Sequence, residues 1–133
     1  MEVGTSGNAA ALWVGLHLFL LLGLSMLVVR QRRRHRIAIG DADIPELVRA
    51  VRAFGNATEY VPAGLAALAV LAIVNAPPLA IHIAGLALFA GRLIHAIGLS
   101  QSSEATLSRS VGVVLTWAAY VFAGVALLFY AIV

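Results

Sequence analysis

Arg52, Asn56 and Glu59 interrupt an apolar stretch at spacings of four and three residues, with Tyr60 and Pro62 directly after them. At about 100° per residue these polar side chains fall within roughly 60° of one helix face, so a helix here carries a single charged stripe. Further along, Arg92 and His95 sit three apart on one face, and Arg109 opens another apolar run behind a polar turn. Together these groups offer guanidinium forks for carboxylates or phosphates, one carboxylate for an ammonium, and an amide and a phenol for hydrogen bonds. The complementary ligand is a small zwitterion with more than one carboxylate.

The elements that position these groups are membrane helices. Of 133 residues 62% are hydrophobic and the mean hydropathy is +0.97, with apolar runs near the twenty or so residues that cross a bilayer. The first run, Ala9 to Val29, lacks a basic segment before it and has its arginines after it, the reverse of a secretory signal, so it reads as a retained span. Asp43 is the expected cap of the second helix, with Pro45 in its first turn and Glu46 at the capping-box position. Asn75-Ala76-Pro77-Pro78 breaks the chain, and Gln101 to Glu104 forms a second polar turn. The expected architecture is an all-α membrane protein, one domain over residues 1–133, with four transmembrane helices in an up-and-down bundle. The spans are placed at about residues 9–30, 45–74, 79–99 and 107–132.

All nine basic residues are arginines, and Arg30, Arg32, Arg33, Arg34, Arg36, Arg49 and Arg52 lie between the first span and the middle of the second. The positive-inside rule puts that loop in the cytosol, with both termini and the Pro77-Pro78 turn on the other side. Threading then brings the start of helix two (Arg49, Arg52, Asn56, Glu59), the end of helix three (Arg92, His95) and the start of helix four (Arg109) to one leaflet.

Simpler roles stand beside the chemical ones. The arginines from Arg30 to Arg36 set topology and attract anionic lipid, Arg30 being nearest the membrane, and Arg49 snorkels to water. Arg52 and Glu59 could form a structural ion pair, Arg92 and His95 could partner Glu59, and Arg109 could hold a lipid phosphate. His17 and His82 are read as core or lipid-interface residues. Without cysteine there is no disulfide, thiolate nucleophile or thiolate metal site, and His95 with Glu59 alone supplies too few ligands for a metal. The pI of about 10.2 belongs to a membrane loop without stacking aromatics, so nucleic acid is not an expected partner.

Glutathione fits the cluster, having two carboxylates, one amine and a thiol. An arginine near the sulfur, helped by a helix N-terminus, favours the thiolate, which is itself the nucleophile, so the protein needs no covalent catalyst. The run from Arg52 to Pro62 resembles the signature R-A-x-x-N-x-x-E-Y-x-P of the membrane-associated proteins in eicosanoid and glutathione metabolism (MAPEG). It is nearest the form in leukotriene synthase and the microsomal glutathione transferases. Gly91-Arg92-Leu93-Ile94-His95 resembles the family's G-R-x-x-H/Y, and the four spans with an Arg-rich first loop extend the resemblance over the chain.

The resemblance implies a homotrimer holding glutathione between subunits near the cytosolic face, with a lipophilic second substrate arriving from the bilayer. By position it implies that Arg52, Asn56, Glu59 and Tyr60 bind glutathione, with Arg92 and His95 in the same site and Arg30 reaching it from a neighbouring subunit. Arg109 matches the arginine that stabilises the thiolate. Two departures stand out: Leu99 occupies a position where eukaryotic relatives carry tyrosine, and no tyrosine follows Arg109 within a turn, Tyr120 lying about three turns deeper on the same face. The expected function is a glutathione-dependent membrane transferase, with peroxidase activity as an extension. A non-catalytic lipid-binding or scaffolding protein of the same fold is the alternative. The clustering of charge in one leaflet argues against a transporter. The lysine-free, Ala- and Val-rich composition points to a bacterial inner membrane.

Overall fold

Prolines and left-handed residues cut the apolar sequence into four helices: α1 (Glu2–His35), α2 (Pro45–Ile73), α3 (Pro78–Gln101) and α4 (Leu107–Ile132). The computed structural model describes residues 2–133, with side chains from Thr5 onward. Pro45 and Pro78 each sit in a first helical turn, where a missing N–H costs nothing. Asn75 adopts φ 58° and ends α2. The Ala76 N–H then reaches Leu71 O at 2.9 Å and the Asn75 N–H reaches Ala72 O at 3.2 Å, the two bonds of a Schellman motif. Arg36, at φ 57°, closes α1 in the same way. Thr106 caps α4, its hydroxyl accepting the Arg109 N–H at 3.3 Å.

Asp43 does not cap α2. Ile44 takes the cap position without a side-chain bond, while Asp43, at φ 55°, donates its N–H to Asp41 Oδ1 at 3.1 Å. An N-cap residue needs extended backbone, and the Asx turn closed by Asp41 holds Asp43 at positive φ instead, leaving Ile44 as the extended residue before the helix.

All four helices are long and apolar enough to cross a membrane. α2 buries Leu47, Ala50, Ala53, Ala57, Val61, Gly64, Leu68 and Leu71, recurring every three or four residues as one apolar seam. It and α3 form the inner pair and each touches every other helix, whereas α1 and α4 do not meet among the described residues. One apolar cluster joins Ala9, Trp13, Leu71, Ala76, Ile81 and Ala123; a second joins Leu24, Ala53, Ala57, Val61, Ala96 and Leu99.

Ser6 Oγ donates to Ala76 O at 2.8 Å, tying the start of α1 to the α2–α3 turn. Nearby Trp13 Nε1 donates to His82 Nδ1 at 3.1 Å, and His17 is fully buried against Phe89, so both histidines belong to the packing of this end. The two polar connections, and with them Arg92, His95 and Arg109, lie at the other end.

Candidate substrate-binding site

The site is built around Arg92, which is 1% exposed and lies where α2, α3 and α4 meet. Its Nη1 donates to Asn56 Oδ1 at 2.7 Å, its Nε to Thr116 Oγ1 at 2.8 Å and its Nη2 to Gly112 O at 3.4 Å. The guanidinium carbon also stands 4.7 Å from the centre of the Tyr60 ring, a cation–π contact. Every partner is neutral, and no salt bridge forms among the described residues. The positive charge is therefore hydrogen-bonded but not compensated.

Reaching these partners requires α3 and α4 to cross backbone on backbone. A Cβ placed on Gly112 would stand 2.6 Å from Gly91 O and 2.7 Å from His95 N, and one on Gly91 would meet Gly112 O at 2.8 Å. The close crossing puts the Gly112 carbonyl and the Thr116 hydroxyl, itself donating to that carbonyl at 2.8 Å, under the guanidinium. Gly112→Ala should therefore force the helices apart and cost about 1–3 kcal/mol. Gly124→Ala, with nothing within 4 Å of the added methyl, should be neutral or mildly stabilising. Thermal unfolding of the two variants in detergent checks the contrast; equal melting temperatures would refute the crossing as the tight point.

The polar stripe on α2 divides. Asn56 and Tyr60 occupy its inner edge and engage Arg92, while Arg52 and Glu59 at its outer edge are exposed.

 Among the described residues neither outer residue bonds to another group, so the alternative of a structural Arg52–Glu59 ion pair is not formed, nor does Glu59 partner Arg92 or His95. Arg30 is likewise exposed at the end of α1, away from Arg92, and Arg49 is half-buried.

His95 and Arg109 come together in a groove of about 350 Å³ beside the start of α4, walled by Val113, Val114 and Trp117. Arg109 is half-buried, and its Nη1 donates to Glu104 O at 2.7 Å and Ser103 O at 3.4 Å, folding the side chain back on the α3–α4 turn. The groove thus has a cationic rim and an apolar wall.

Two hydroxyls on α4 complete the centre. Thr116 went unnoticed in the sequence, although Gly112, Thr116 and Tyr120 recur every four residues on the face that meets α3, which is the signal that could have revealed it. Tyr120 donates its hydroxyl to Tyr60 O, and the two rings lie 6.2 Å apart. A phenol therefore does reach this centre, from α4. Leu99 points elsewhere, into the apolar cluster with Leu24, Ala53 and Ala57.

The MAPEG family model matches residues 10–129. The chain is also 36% identical over 121 residues to "Inner membrane protein YecN" of Escherichia coli strain K12, covering 91% of both chains, and equally so to its counterpart in E. coli O6:H1 strain CFT073. The membrane-length helices and these matches agree on a multi-pass integral membrane protein. With the match running from α1 almost to the end of α4, the chain belongs to the MAPEG family.

Proposed function

We propose that this protein is a glutathione-dependent membrane transferase of lipophilic electrophiles. The observation that carries the reading is Arg92, a buried guanidinium with only neutral partners, because a charge held in a membrane helix without an opposite charge is costly and marks a site for an anion. Arg52, Arg92 and Arg109 against the single carboxylate of Glu59 suit a ligand that is anionic overall yet carries an ammonium. The exposed Arg52 and Glu59 need partners too, which supports a homotrimer in which a neighbouring subunit, with its Arg30, closes the glutathione site. The name of the E. coli relatives supports a bacterial inner membrane, and the positive-inside rule supports an orientation with the arginine-rich loop in the cytosol and both termini outside.

In this reading Arg52, Asn56, Glu59, Tyr60, Arg92 and His95 hold glutathione, and Arg109 faces the sulfur and lowers the free energy of the thiolate. The thiolate lone pair forms a C–S bond with an electrophilic carbon arriving along Val113, Val114 and Trp117, while the leaving group departs with its electron pair. In peroxide reduction the same thiolate forms an S–O bond with the terminal oxygen as the O–O bond breaks. The alkoxide leaves with the electron pair and takes a proton from water, and a second glutathione thiol then displaces water from the resulting sulfenic acid to give the disulfide. Glutathione added to the detergent-purified protein should produce thiolate absorbance and conjugation of a generic electrophile. Absence of both would overturn the proposal in favour of the non-catalytic, lipid-binding alternative, to which the engagement of Arg109 with its own turn gives some support.

A further inference from the structure

A second basic feature lies at the end of α1, outside the site above. A groove of about 350 Å³ is lined by Val29, Arg32, Arg33, Arg36, Ile37 and Ala38, with no carboxylate in its lining. The left-handed turn at Arg36 creates it by folding the loop back under the helix end. Arg32 is used in holding that shape, its Nη1 donating to Gly40 O at 2.6 Å and Ala38 O at 3.4 Å. Arg33 and Arg36 are exposed and make no side-chain bond among the described residues. Two guanidinium groups are thus left free at a groove whose other walls are apolar.

The helix above the groove has a matching pattern. Leu22, Met26, Val29 and Arg33 follow one another at spacings of four, three and four, which places them within roughly 60° of one helix face. Leu22, Met26 and Val29 are all exposed. An apolar track in a membrane helix that ends at paired arginines complements a molecule with acyl chains at one end and a phosphate at the other. We propose that this groove binds one anionic phospholipid, its phosphodiester between Arg33 and Arg36 and one acyl chain along Val29, Met26 and Leu22. None of the residues assigned to glutathione lines the groove, so the proposal stands or falls apart from the transferase reading.

Native mass spectrometry of the delipidated protein in detergent, titrated with phosphatidylglycerol or phosphatidylcholine, tests it. The wild type should retain one phosphatidylglycerol per chain in preference to phosphatidylcholine, and millimolar inorganic phosphate should not displace it. The double variant Arg33→Gln/Arg36→Gln should lose roughly thirtyfold in that preference, the product of two arginine contacts at an anionic headgroup. Arg34→Gln removes one like charge beside the groove but not from its lining and should retain the preference. Ala38→Glu places a carboxylate in the groove while keeping every arginine, and should lose the preference even if the double variant fails to fold. A loss of about fivefold in Arg34→Gln, the share of one arginine, would show diffuse attraction to charge, equal retention of the two lipids would show no headgroup site, and displacement by phosphate would show a free-anion site; each overturns the proposal.

Discussion

Replacing Arg92 with Met should lower stability by about 2 kcal/mol and abolish saturable glutathione binding. Three donated hydrogen bonds disappear, each worth about 1.5–3 kcal/mol when the donor is charged, but the full sum is not expected. Gly112 O keeps the Thr116 hydroxyl as a donor, and half-buried Asn56 can turn toward water. Removing a buried guanidinium that has no carboxylate partner also relieves desolvation, which offsets part of the loss. A double-mutant cycle with Thr116→Val isolates one contact and should give a coupling of about 1–2 kcal/mol. Zero coupling, measured by unfolding in detergent, would mean that Thr116 does not hold Arg92. Wild-type affinity for glutathione in Arg92→Met would remove Arg92 from the binding site while leaving its structural role intact.

The helices were legible because the signals that define them are local and strong: apolar runs of membrane length, prolines at 45 and 78, and the polar turns between. Asp43 misled because two acids compete over one short loop, and a cap rule does not say which donor each will find. Periodicity placed Arg52, Asn56 and Glu59 on one face, yet a stripe about 60° wide can straddle the boundary between core and surface. Only packing decides that Asn56 faces Arg92 while Arg52 and Glu59 face outward. Thr116 was hidden for a different reason. In an apolar helix a threonine ordinarily bonds its own preceding turn, as this one does with Gly112 O, and its second role as acceptor depends on how closely α3 crosses α4. That crossing is set by Gly91 and Gly112 together, a pairing between helices that neither glycine announces alone.

Arg109→Ala should reduce kcat by about a hundredfold to a thousandfold, the usual effect of removing one group that stabilises developing or full negative charge at a reacting atom. Binding of glutathione should change much less, because its carboxylates and amine are assigned to Arg52, Asn56, Glu59, Tyr60 and Arg92. The fold should tolerate the change. The carbonyls of Glu104 and Ser103 that Arg109 now contacts are exposed and can bond water instead, and the Thr106 cap uses the backbone N–H of Arg109, which alanine retains. Thiolate absorbance, glutathione affinity and turnover, measured on one preparation, separate the possibilities. Loss of thiolate and turnover with near-normal affinity supports the assignment, and partial recovery in Arg109→Lys would show that charge is the active property. Normal turnover in Arg109→Ala would move thiolate stabilisation to another group. A lower melting temperature with thiolate formation unchanged would instead reduce Arg109 to a strut of the α3–α4 turn, the role that its bonds to Glu104 O and Ser103 O describe in the ligand-free chain.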